Sequence, residues 1–211
     1  MAIGGILFDK DGTLLDFNAT WVPVIREAAL AVAGGDANLA ARLMAAGGQD
    51  DSQGTVAPGS LLAAGTTKEI AALWADLAPD HGQRDLIGFI DSLFIEGGKA
   101  TAVAVPGMAN VLARLKHGGI RLGLATSDSE AGAVATLAGF GVVGLFDFLA
   151  GYDSGYGVKP EPGMVEGFRE ACLMIFIGFR GKREPLPATP FMAGSGGGRI
   201  ERSWAAIGAV P

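Results

Sequence analysis

Gly5-Ile6-Leu7-Phe8-Asp9-Lys10-Asp11-Gly12-Thr13-Leu14-Leu15-Asp16 carries a short apolar strand into two carboxylates one residue apart, followed by Gly-Thr. Residues two apart on an extended chain point the same way, so Asp9 and Asp11 are expected to face one small site at the strand's carboxyl end. One carboxylate can attack phosphorus while the other moves protons, the division of labour that an aspartyl-phosphate route requires. Gly12 lets the backbone leave strand geometry without a Cβ clash, and the amides of that turn can cradle phosphate oxygens. Asp-Gly between apolar runs is also a hairpin signal, and two solvated turn residues are the competing reading.

Working outward, 211 residues are enough for a full core with a modest insert, so two lobes are expected. Hydrophobic residues make up 49% and charged residues 18%, the balance of a folded chain. The net charge of −6 offers nothing to nucleic acid or to an anionic membrane, and an anionic substrate would need local positive charge and a metal. Cys172 is the single cysteine, which excludes an intrachain disulfide and makes reducing cytoplasm the expected compartment. No apolar run approaches the roughly 18 residues of a membrane span, and Met1 to Phe8 lacks the basic start of a signal peptide.

After Asp16 the period changes. Val22, Ile25, Ala29 and Val32 fall at helical spacing with Arg26 and Glu27 for the other face, and further helices are expected at Asn38 to Ala46, Lys68 to Leu77 and Asp85 to Glu96. Gly47 to Gly65 reads as a long connection. Thr66 and Thr67 precede a helix and have a capping explanation before any substrate role. From Pro106, where a helix is expected to start with Val111, Leu112 and Leu115 as its stripe, the rhythm becomes α/β: a strand at Arg121 to Ala125, a helix through Leu137 and a strand at Phe146 to Gly151. Such alternation predicts a parallel sheet flanked by helices, with ligands at the strands' carboxyl ends.

Two further motifs lie at such ends. Thr126 follows Leu122-Gly123-Leu124-Ala125 and can hydrogen-bond a phosphate oxygen, although Thr126-Ser127-Asp128-Ser129 also reads as a helix cap. Lys159, in Gly155-Tyr156-Gly157-Val158-Lys159-Pro160-Glu161-Pro162, is followed by prolines that restrict the backbone and can hold its cation more reproducibly than a free loop.

Asp-x-Asp-Gly-Thr-Leu, the strand-borne Thr126 and Gly-x-x-Lys-Pro-x-Pro resemble, in this order, the first three motifs of the haloacid dehalogenase (HAD) superfamily. The resemblance spans roughly Ile3 to Phe168 and points to its phosphoglycolate phosphatase-like branch. It implies an α/β Rossmann-like parallel sheet flanked by helices, with a small helical cap inserted after the first strand: core at 1–16 and 101–211, cap at 17–100. It further implies Asp9 as nucleophile, Asp11 as general acid and base, Thr126 as phosphoryl ligand and Lys159 as charge stabiliser. Gly12, Thr13 and Ser127 would bind substrate, and Asp9 and Asp11 would hold Mg²⁺. The implied activity is hydrolysis of a small phosphorylated metabolite through an aspartyl-phosphate. The second aspartate favours phosphate chemistry over dehalogenation; a phosphomutase shares the same core. The cap would choose the substrate, with Phe17, Asn18 and Trp21 near the cleft, although Phe17 and Trp21 also read as cap packing.

One part of the pattern is missing. The family's fourth motif, a strand ending in Gly-Asp with a later acid, completes the metal site, yet there is no aspartate beyond Asp153. Leu173 to Ile177 and Phe191 to Ala193 are the candidate strands, the second leading to Ser195 and Glu201. This leaves a catalytically impaired phosphate-binding or interaction protein as the alternative. The portion from about Arg169 is read as divergent or as the translation of a shifted frame, which an absence of Gly-Asp and a downstream acid from the other two frames of the coding DNA would count against.

Overall fold

The computed structural model describes residues 3–50, 54–80, 82, 85–179 and 208–210. Strand β1 (Gly5–Asp9) is followed by five helices, α1 (Phe17–Val32), α2 (Ala37–Gly47), α3 (Leu61–Ala64), α4 (Thr67–Leu77) and α5 (Leu86–Thr101). A two-stranded antiparallel hairpin, β2 (Gln49–Asp50) with β3 (Thr55–Val56), lies between α2 and α3. The chain then alternates through α6 (Met108–His117), β4 (Arg121–Ala125), α7 (Glu130–Ala138), β5 (Phe148–Ala150) and α8 (Gly163–Phe179), and β6 (Gly208–Val210) comes last.

The sheet order is β5-β4-β1-β6. β1 runs parallel to β4, with Asp9 opposite Ala125, and β4 runs parallel to β5, with Ala125 opposite Ala150. β6 pairs antiparallel to β1, an edge arrangement common on otherwise parallel sheets. The expected parallel sheet flanked by helices is therefore present. Two apolar clusters hold it: one centred on Leu112, Leu122, Leu124 and Leu137, the other on Leu7, Ala150, Met164 and Phe168. Gly123 is required where α8 crosses β4, because a Cβ there would meet the Phe168 ring at 2.5 Å and Leu7 at 2.7 Å.

Helices α1 to α5 build a separate cluster around Val24, Ile25, Leu43, Trp74 and Ile90. Val22, Ile25, Ala29 and Val32 are all buried on α1, and Arg26 and Glu27 are exposed, as the period required. Thr66 caps α4 in a reciprocal capping box with Glu69, an arrangement that contributes on the order of 1 kcal/mol and accounts for this threonine structurally.

Several expectations need correction. Leu173 to Ile177 is not a strand: it continues α8, whose Met164, Phe168 and Cys172 recur at helical spacing against the sheet with no break before Leu173. Phe191 to Ala193, Ser195 and Glu201 lie outside the described residues. Gly47 to Gly65 contains the hairpin and α3 rather than a bare connection; segments of two to four residues are too short to show a period. Helix α6 begins two residues beyond Pro106, after Gly107 takes a left-handed conformation at φ 81°. Val111 is 51% exposed, so the α6 stripe rests on Leu112 and the half-buried Leu115.

Candidate active site

Asp9 is the last residue of β1, and immediately beyond it the chain folds back on itself. The Lys10 carbonyl accepts hydrogen bonds from the amides of Leu14 and Leu15 at 2.8 and 3.0 Å, and Gly12, at φ 82°, donates its amide to the Leu15 carbonyl at 2.8 Å. This compact turn leaves Asp9, Asp11, Gly12 and Thr13 on one side of a cleft of about 430 Å³. Thr126 and Ser127, which follow β4, and Lys159 line the same cleft. The seven predicted site residues are thus brought together, from loops as much as 150 residues apart.

Lys159 donates a hydrogen bond from its ammonium to Asp9 Oδ1. Its peptide bond to Pro160 is cis. Burial pushes the Asp9 carboxyl up; the charge and hydrogen bond of Lys159 act against this, the Asp11 charge adds to it, and the result lies above the ordinary value. Thr126 is 1% exposed, and its Oγ1 accepts the Asp128 amide at 3.1 Å. The cap of α7 is Ser129, which accepts from the Gly132 amide at 3.1 Å, so Thr126 is not the capping residue of that helix.

Behind Asp11 stands a group of side chains that the sequence reading missed. Lys10 is 0% exposed, pairs with Asp11 Oδ2 at 2.9 Å and Asp128 Oδ2 at 3.1 Å, and lies 4.7 Å from the centre of the Trp21 ring. Trp21 donates its indole N–H to Asp11 Oδ1 at 2.5 Å. Burial lowers the affinity of Lys10 for its proton, but the two carboxylates outweigh it and hold the ammonium above its ordinary value. Burial also pushes Asp128 up, against the pull of Lys10. Asp11 is therefore gripped by a cation and by an indole from α1.

Two further hydrogen bonds join α3 and α5 to the loops that follow β4 and β5. Ser127 donates to the Ala64 carbonyl at 3.1 Å, and the Tyr152 phenol donates to Asp91 Oδ2 at 2.5 Å. Burial and the Asp91 carboxylate raise Tyr152 well above its ordinary value, so it remains a donor.

A family model, haloacid dehalogenase-like hydrolase, matches residues 3–178. The chain belongs to the haloacid dehalogenase-like hydrolases. No match was found among curated protein sequences. Solved structures similar to this HAD-like chain include a "predicted phosphoglycolate phosphatase" from Haemophilus somnus 129PT, with 18% identity, a TM-score of 0.52, and coverage of 82% of this chain and 72% of that one. Another is from Thermotoga maritima, provisionally designated a beta-phosphoglucomutase, with 21% identity, a TM-score of 0.52, and coverage of 81% and 71%. At these identities the likeness shows the HAD-like fold, an α/β sheet flanked by helices.

The donor chemistry of the site fits a partly hydrated hard cation. Asp9 and Asp11 offer only oxygen, and the cleft has room for waters and a phosphate beside them. Because the Asp11 carboxylate is taken by Lys10 and Trp21, its main-chain carbonyl is the donor it can offer. Among the described residues no group of three or more acids, histidines or cysteines is placed to hold a metal. Also among the described residues, no helix is long and apolar enough to cross a membrane.

Proposed function

We propose that this HAD-like hydrolase is a magnesium-dependent phosphatase of small phosphorylated metabolites, working through a phosphoenzyme on Asp9. One observation carries the reading: nucleophile, acid, hydroxyl and ammonium line one cleft, with the ammonium seated on the nucleophile. Asp9 and the Asp11 carbonyl would hold Mg²⁺, which when bound relieves the repulsion between carboxylate and phosphate.

The chain's own residues account for the proton and bond traffic. A phosphoryl group enters beside Thr126 and Lys159, whose hydroxyl and cation balance its charge. The route starts with Asp11 carrying a proton, which the monoanionic ester can bring. An Asp9 oxygen then bonds to phosphorus as the phosphorus–oxygen bond to the leaving alcohol breaks, and Asp11 gives its proton to that alcohol. Asp11, now a carboxylate, takes a proton from a water whose oxygen attacks phosphorus. The bond to Asp9 breaks and phosphate leaves.

A second reading, a phosphate-binding protein with impaired chemistry, is favoured by the missing aspartate beyond Asp153. Phosphate release from p-nitrophenyl phosphate by the folded chain separates the two. Turnover that rises at least tenfold with Mg²⁺ is expected. No turnover over a wide Mg²⁺ range, with inorganic phosphate still bound, would favour the second reading.

A further inference from the structure

We infer that the cleft selects phosphate monoesters whose leaving alcohol is uncharged, in preference to esters that carry a carboxylate or a second phosphate on that alcohol. The inference rests on the phosphatase reading and adds the substrate class to it.

The cleft has two unlike walls. The sheet side presents Asp9, Asp11, Thr126, Ser127 and Lys159, and Lys159 is the only cation among the described residues that line it. The opposite side presents Phe17, Asn18, Val56, Pro58, Ala63 and Ala64, a neutral and mainly apolar surface. Lys10, beside Asp11, is fully buried and divided between Asp11 and Asp128. Arg26, Arg42, Lys68 and Lys99 on the helices are exposed and do not line the cleft.

A phosphoryl group held by Thr126 and Lys159 therefore uses the positive charge that the described lining supplies. A second anion on the same molecule would sit against the neutral wall, with the Asp9 and Asp11 carboxylates across from it. Desolvating a charge without a partner is costly, so an anionic alcohol is disfavoured against a neutral one. A neutral alcohol meets the reverse situation. Its carbon atoms cover Phe17, Val56 and Pro58. A recess of about 50 Å³ beside Asp11, lined in part by Trp21, Ile25, Leu62 and Phe94, has room for a methyl or ethyl group. Asn18 accepts the Val56 amide on Oδ1 at 3.1 Å, so the polar group it can offer a ligand is its neutral NH₂ donor.

The test uses the purified full chain with Mg²⁺ and three esters: propyl phosphate and phosphoglycolate, which are of similar size, and the larger propane-1,3-diol bisphosphate. The expected kcat/KM is at least tenfold higher for propyl phosphate than for either anionic ester. Asn18→Lys is expected to move the propyl phosphate to phosphoglycolate ratio at least tenfold toward phosphoglycolate. Equal or better use of the anionic esters by the wild type overturns the inference. If no ester is hydrolysed, the phosphatase reading fails, and binding of the same esters to the wild type, followed by calorimetry, decides the charge preference. Tighter binding of propyl phosphate sustains it, whereas equal, reversed or undetectable binding overturns it.

Discussion

Asp9→Asn is expected to lower turnover of p-nitrophenyl phosphate by roughly 10⁴-fold or more, the scale on which nucleophile removal acts, without lowering Tm. The amide keeps the shape of the carboxyl group but cannot attack phosphorus or form the phosphoenzyme. The stability half of the result follows from linkage. Burial, only partly opposed by Lys159, raises Asp9 in the folded chain, so the native state binds this proton more tightly than the unfolded state does. Its contribution to stability is then largest in acid and is lost as pH rises from the unfolded value through the folded one. At about pH 7 the ionised carboxylate draws stability down, and the uncharged asparagine removes that penalty. Thermal melts alongside the assay check both halves. Wild-type turnover in a folded variant would exclude Asp9 as nucleophile, and a fall of several degrees in Tm would mean that lost activity reflects a damaged fold.

The largest stability effect is expected at Lys10. Lys10→Met keeps most of the aliphatic stem but removes a fully buried ammonium that pairs with Asp11 and Asp128. Breaking a buried ion pair on one side costs about 3–5 kcal/mol, because the carboxylates left behind lose both solvent and partner. Asp128, already raised, can escape part of this by taking a proton, so the loss should be smaller in mild acid and grow toward neutral pH. Urea unfolding at the two pH values measures it. Adding Asp128→Leu to Lys10→Met should recover a substantial part of the loss by removing one stranded charge. A single-variant loss below about 1 kcal/mol would show that the network is not under the electrostatic tension described.

The sequence reveals Asp9, Thr126 and Lys159 for a common reason. The two that end apolar strands announce a parallel sheet's ligand edge, and the flanking glycines and prolines of Lys159 mark an ordered loop. Lys10 is illegible by the same logic. Between two carboxylates at a turn, a lysine reads as solvated charge, and it is α1 that brings Trp21, eleven residues later, over its ammonium. Trp21 was legible as packing, while its N–H on Asp11 depends on where α1 lies against the sheet. An indole one helical turn beyond Phe17, beside a strand that ends in Asp-Lys-Asp, is the signal that could have found it. Val111 and the hairpin at Gln49 to Val56 failed differently, since hydrophobic identity does not specify a face and two-residue strands carry no period. The missing fourth motif lies outside what the sheet geometry alone can reveal.

The position of Trp21 gives the molecule an optical gauge of its own chemistry. Its ring lies over the Lys10 ammonium and its N–H rests on the proposed acid, so the electric field across this chromophore depends on whether Asp11 is ionised and on whether a dianion lies beside it. Trp74 shares the helical cluster with Trp21 but is fully buried, with its N–H on the Leu43 carbonyl rather than on a carboxylate. Emission from Trp21, separated from that of Trp74 and Trp204 by substitution, is therefore sensitive to the charge that enters beside Asp11, ahead of any released product.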